Sequence, residues 1–114
     1  LILDVLVNQD VPKLVLGYSL KDRMGQMIYG TNTALKDMVI ESPKAGDKVT
    51  YTIDFCLELG LGNFSIQTAL GCSDNHIDGN YQWVDLAYTF EVLPSNTNDF
   101  SGVARMNPTI LIEN

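Results

Sequence analysis

From Val49 to Glu58 the chain alternates without a break. Val49, Tyr51, Ile53, Phe55 and Leu57 interleave with Thr50, Thr52, Asp54, Cys56 and Glu58. A period of two over ten residues is a strand with one buried and one wetter face, since a helix would need apolar residues at every third or fourth place. The same grammar recurs along the chain. Leu1 to Val7 reads as a strand ended by the Asn8-Gln9-Asp10 turn. Lys13 to Lys21 sets Leu14, Leu16, Tyr18 and Leu20 on a core face, against Lys13, Val15, Gly17, Ser19 and Lys21. A tight turn at Met24-Gly25 leads to a third strand over Gln26 to Thr33. Ala34 to Asp47, with Pro43 and Ala45-Gly46, reads as a long connection crossing between sheets.

The second half continues in strands. Leu59-Gly-Leu-Gly62 turns the chain into a strand that places Phe64, Ile66, Thr68 and Leu70 on one face and Ser65, Gln67 and Ala69 on the other. Ser73 to Asn80 is a polar loop, and Tyr81 to Leu93 is a long strand ending at Pro94. Phe100 to Ile112 is predicted to carry one or two further short strands. No stretch has helical periodicity, and no internal repeat is present. The expectation is a single all-β domain over residues 1–114, an antiparallel β-sandwich of seven or eight strands with jelly-roll or immunoglobulin-like topology. The chain opens at Leu1, not Met, inside an apolar alternation, and is read as a fragment of a longer protein.

Charge narrows the partners. A net charge of −7, from 14 acidic and 7 basic residues, argues against nucleic acid, whose phosphates call for clustered Lys and Arg, and against an anionic membrane. No apolar run approaches the ~20 residues of a membrane-spanning helix. Cys56 and Cys72 stand far apart without a Cys-x-x-Cys motif or a His cluster, which reads as two free thiols, with a disulfide the alternative in a secreted sandwich. There is no Gly-x-x-x-x-Gly-Lys loop for ATP and no Gly-x-Ser-x-Gly elbow. Glycoside hydrolysis requires two opposed carboxylates, and Asp54, Asp74, Asp85 and Glu91 show no pairing. Asp74, Asp78, Gly79 and Asp85 approach a calcium-loop spacing, but His76 stands where an oxygen ligand belongs, so an ordinary Asp/Asn/Gly turn is the reading. No metal, cofactor or enzymatic activity is predicted.

The polar residues suit a glycan better. Ser19, Lys21, Thr52, Asp54, Ser65 and Gln67 are predicted to form one wetter face, offering hydroxyls, an amide, a carboxylate and an ammonium to sugar hydroxyls. If the alternation of the last long strand holds through its first turn, Tyr81 and Trp83 border that face as aromatic plates for sugar C–H surfaces. His76 in the polar loop could bond a sugar edge. Any antiparallel sheet facing water has a polar face, however, and a lone Trp is often a core residue.

The order of several short motifs points further. Gly-Tyr-Ser-Leu-Lys-Asp-Arg (Gly17 to Arg23), Tyr-Gly-Thr-Asn-Thr (Tyr29 to Thr33), Ala45-Gly46, Leu-Gly-Asn-Phe-Ser-Ile (Leu61 to Ile66) and the run from Trp83 to Val92 together resemble the C-terminal carbohydrate-binding domain of Wzt, the ATPase subunit of bacterial O-antigen polysaccharide exporters. The resemblance spans about Val11 to Pro94. It implies non-catalytic binding of the non-reducing terminus of a lipid-linked O-antigen, held on the sandwich's concave face. It also implies a cytoplasmic setting at the inner membrane, contact with the exporter's transmembrane subunit through the full-length protein, and an ATPase domain outside this chain. Homodimers exchanging a terminal strand are a further implication, for which Thr109 to Ile112 is the candidate segment. The rivals are a secreted glycan-binding module of a hydrolase and a purely structural immunoglobulin-like domain.

Overall fold

The computed structural model describes residues 1–72, 80–94 and 100–114. Seven strands are present among them: β1 (Ile2–Leu6), β2 (Lys13–Asp22), β3 (Met27–Asn32), β4 (Ile40–Glu41), β5 (Lys48–Thr52), β6 (Gly62–Gly71) and β7 (Asn80–Val92). All pair antiparallel, and they form a β-sandwich of unequal layers. β1 and β5 make a two-stranded sheet, and the larger sheet runs β3-β2-β6-β7 with β4 against the start of β2. β2 is central. It pairs with β6 along one edge, from Val15 to Asp22, and with β4 and then β3 along the other.

The core lies between the sheets. Leu14 and Leu16 of β2, Leu70 of β6 and Val7 form its centre, and Leu3, Val5, Val49, Tyr51 and Ile53 of the smaller layer pack on it. Leu16 is wholly inaccessible. The alternation of β1 and β5 therefore does what a period of two requires, turning one set of side chains inward and Asp4, Thr50 and Thr52 outward. Thr50 Oγ1 donates to Asp4 Oδ1 across that outer surface at 2.7 Å.

The β2–β3 hairpin is closed by one side chain. Asp22 Oδ1 accepts from the backbone N–H groups of Met24 and Gln26, both at 2.9 Å, while Gly25 takes a positive φ of 80°. This is the Asx-type turn expected of Asp before a glycine.

Three features depart from the sequence reading. The strand expected over Val49 to Glu58 ends at Thr52, because its ladder partner ends at Ile2, the residue opposite Thr52. Alternation marks a candidate strand, but pairing needs a neighbour, and Phe55 and Leu57 beyond the ladder are exposed. Secondly, no strand forms among the described residues of Phe100 to Ile112. Ala104 makes an isolated bridge with Leu59, Gly60 N–H donates to Val103 O at 2.7 Å, and Arg105 N–H donates to Glu58 O at 2.9 Å. A Cβ on Gly60 would collide with the carbonyl of Gly102, so this crossing is built around a glycine. Thirdly, β2 is buried on both faces. Val15 and Ser19, assigned by parity to the wetter side, are buried like Leu14.

Candidate carbohydrate-binding face

The outward face of the larger sheet carries a groove of about 510 Å³. Its depth comes from residue size. Gly17, Gly30, Ala69 and Gly71 stand on adjacent strands with little or no side chain, and taller groups rise around them. Trp83 bounds the β7 side, being directly opposite Ala69 in register. Met27 and Leu35 bound the β3 side. Leu35 is placed by the turn after β3, where its backbone N–H donates to Asn32 Oδ1 at 2.8 Å. A Cβ added at Gly17 would lie 3.7 Å from the Asn32 Cβ, ordinary van der Waals contact. Glycine at that position is thus not demanded by backbone geometry, and what it provides is empty space.

At the groove's centre lies a polar pair. Ser19 and Gln67 are opposite one another on β2 and β6, each 6 % exposed, with Ser19 Oγ donating to Gln67 Oε1 at 3.5 Å. Polar groups this sheltered present their remaining donors and acceptors at low dielectric, where a hydrogen bond discriminates well. Lys21 stands at one end and also borders a second depression of about 640 Å³, lined by Ser65, Asp85, Thr89 and Glu91. The two depressions are therefore contiguous along the sheet.

Trp83 is 45 % exposed and lies on the outer side, not in the core. Its indole Nε1–H donates to Asp85 Oδ1 at 2.6 Å. The pair borders a bulge. Thr68 faces Val84 and Ile66 faces Tyr88, so residues 85–87 of β7 stand against Gln67 alone.

Of the nine residues singled out from sequence, Ser19, Lys21, Gln67 and Trp83 line this groove and Ser65 lines its continuation. Thr52 and Asp54 do not join them. Thr52 belongs to the smaller layer, whose inward positions are Val49 and Tyr51, so it faces out on the opposite flank, and Asp54 lies beyond the end of β5. Tyr81 also departs. Gly71 faces Asn80 and Leu70 faces Gln82, which leaves Tyr81 as an unpaired extra residue and breaks the parity that was to hold it beside Trp83. It lines the cleft between the layers with Leu3, Val5 and Leu70, and its hydroxyl donates to Lys13 O at 3.0 Å. Desolvation first, then neighbouring Cys72, pushes the Tyr81 hydroxyl pKa above its ordinary value. His76 lies outside the described residues.

The small floor residues were not named from sequence. A signal existed, because glycine inside a strand marks a close approach or a space kept open, and Gly17 and Gly30 both sit inside well-formed strands. No disulfide joins Cys56 and Cys72, and among the described residues no three His, Cys, Asp or Glu gather as a metal site would require. No helix of the described residues is long and apolar enough to cross a membrane.

Comparison with known families then decides the lineage, since residues 1–106 match the Wzt C-terminal domain. The chain belongs to that family. In structure, the Wzt-family fold seen here is similar to a crystal structure of the C-terminal domain of wzt, with a TM-score of 0.76 and 21 % sequence identity over 98 % of this chain and 68 % of that one. At that identity the likeness speaks to the fold. No curated protein matches the sequence. Wzt-family membership places the chain in the context of an ABC transporter subunit, as one of its C-terminal domains.

Proposed function

We propose that this chain is a non-catalytic carbohydrate-binding domain that recognises the non-reducing terminus of a lipid-linked O-antigen polysaccharide for export by an ABC transporter. The observation carrying the reading is the groove itself. A half-exposed tryptophan, a floor of glycines and alanine, and a sheltered Ser19–Gln67 pair lie on one sheet face of a Wzt-family chain. A pyranose has an apolar C–H face and a polar rim, and this groove offers a partner for each.

Specificity in this reading comes from the polar pair. A terminus that leaves the Ser19 or Gln67 groups unpaired loses about 1–3 kcal/mol per group, enough to separate a finished chain from an unfinished one. Affinity for an isolated glycan can stay low, since a membrane-anchored polymer and a transporter-bound domain meet at high effective concentration. The setting is the cytoplasmic face of the inner membrane, with the ATPase half and the transmembrane subunit supplied by the full-length assembly.

We propose further that the chain forms a strand-exchanging homodimer. Ile110, Leu111 and Ile112 are 77–80 % exposed in a segment without a ladder, and β7 is an edge strand with one side unpaired within the sheet. An apolar extended segment and an open edge are complementary.

The deciding experiment titrates the protein with purified O-polysaccharide from its own source strain, intact or stripped of its terminal modification, following Trp83 fluorescence and backbone amide shifts. Saturable binding of the intact polymer with shifts on β2 and β6 is the expected result. Equal failure of both polymers would leave a structural or dimerisation domain as the function.

A further inference from the structure

The outward side of β6 carries a graded row. Gln67, Ser65 and Asn63 alternate along it toward the β2–β3 hairpin and pass from buried to half-buried to exposed. The groove therefore shallows in that direction. Two residues beyond the Ser19–Gln67 pair, a step of about 7 Å, Lys21, Ser65 and Thr89 stand side by side in register across β2, β6 and β7. Neighbouring strands lie roughly 4.8 Å apart, so this second polar row is about 10 Å wide. It lines the depression of about 640 Å³, to which Leu86 and Phe90 add apolar surface. Among the described residues, no hydrogen bond or ion pair of the protein occupies the side chains of Lys21, Ser65 or Thr89, and their donors and acceptors are left for a ligand.

We propose that this row is a second sugar subsite. The terminal residue of the polysaccharide sits between Trp83 and the Ser19–Gln67 pair, the penultimate residue lies over Lys21, Ser65 and Thr89, and the rest of the polymer leaves past the β2–β3 hairpin. The proposal rests on the reading of the groove as a glycan site and adds a length and a direction to it. The sheltered end suits a chain terminus, which has nothing beyond it to accommodate. The shallow end suits the polymer, which must continue into solvent. Charges of both signs border the second depression, Lys21 and Arg23 with Asp85 and Glu91, so the sugar it takes is neutral and is held through its hydroxyls.

The test uses fragments of one, two and three sugars that keep the natural non-reducing end, prepared from the source strain's O-polysaccharide and titrated calorimetrically. The two-sugar fragment is expected to bind about tenfold tighter than the terminal sugar alone, the factor of one or two net hydrogen bonds. A double variant, Ser65→Ala with Thr89→Val, should bring the two affinities close together. High salt should leave the wild-type ratio unchanged, as hydroxyl contacts require and an exposed ion pair would not allow. A spin label on the reducing end of the three-sugar fragment should broaden the amide signals of Gly25 and Glu91 and spare those of Asn32 and Gly71, at the other end of the groove.

Equal affinity for one and two sugars would overturn the second subsite while leaving terminus recognition standing, as would a double variant whose ratio matched wild type. Broadening at Asn32 and Gly71 would overturn the direction, and a ratio that collapsed in salt would overturn the neutral sugar. If neither the fragments nor the intact polymer bind, the glycan reading itself falls and this proposal with it. Should the double variant not fold, Thr89→Val alone, at an exposed position of β7, replaces it in the same comparison.

Discussion

Gly17 shows how a residue without a side chain can specify a site. It lies inside β2 between Asn32 and Ala69, and its backbone would accept a Cβ without strain. Glycine in a strand interior costs roughly 0.5–1 kcal/mol relative to alanine, so here stability and the open groove pull in opposite directions. Gly17→Thr is therefore expected to raise or preserve the melting temperature while filling the floor and weakening polysaccharide binding by at least tenfold. Thermal denaturation and calorimetric titration of the same preparation check both halves. A variant that melted early and bound poorly would mean that the glycine serves the backbone instead. Gly30 differs, since a Cβ there would come within 3.1 Å of Met27 Sδ and 3.4 Å of the Ser19 Cβ, and the thioether would have to move.

At the scale of elements, β2 is both core and site. Leu14, Leu16 and Leu20 turn inward, while Val15, Gly17, Ser19 and Lys21 form the groove side. Leu16→Ala should cost about 2–5 kcal/mol, as burial of a full side chain implies, and leave the groove side of the strand unchanged. Ser19→Ala, which leaves the sheltered Gln67 Oε1 without its partner, should instead cost about 1–3 kcal/mol and weaken glycan binding. Chemical denaturation and calorimetric titration of the two variants together check both halves.

The strands themselves were legible in the sequence because their side-chain periodicity reports burial directly, and the Asp22-Arg-Met-Gly25 hairpin because its turn chemistry is local. What was not legible depends on partners. The length of β5 follows from where β1 stops, the inaccessibility of Val15 and Ser19 from what surrounds a central strand, and the placement of Tyr81 from one extra residue in β7. A parity count survives only while the register does. Trp83 kept its place because its pairing with Ala69 lies between the two irregularities of the β6–β7 ladder.

At the scale of the whole molecule, the Cα radius of gyration is 17.8 Å and the extents are 67 × 26 × 25 Å, against about 13 Å for the radius of a compact chain of this length. The segment after Arg105 joins no ladder. Its base is pinned by the backbone bonds around Gly60, by the Glu58–Arg105 ion pair at 3.3 Å and by the Arg105 guanidinium 5.2 Å above the Phe100 ring, while residues 106–114 are exposed. Removing residues 106–114 is expected to convert the proposed dimer to a monomer in light scattering, with the far-UV dichroism of the strands retained. A truncated protein that stayed dimeric would place the interface elsewhere.

The groove, finally, is floored by strands and not assembled from loop tips. Its shape can change only one side chain at a time, because a residue inserted into β2 or β6 would flip everything beyond it to the opposite face. Lineages adapting such a domain to new surface polysaccharides would be expected to hold the lengths of these strands constant and diversify by substitution at alternate positions, leaving a two-residue rhythm of variable and constrained sites as their evolutionary record.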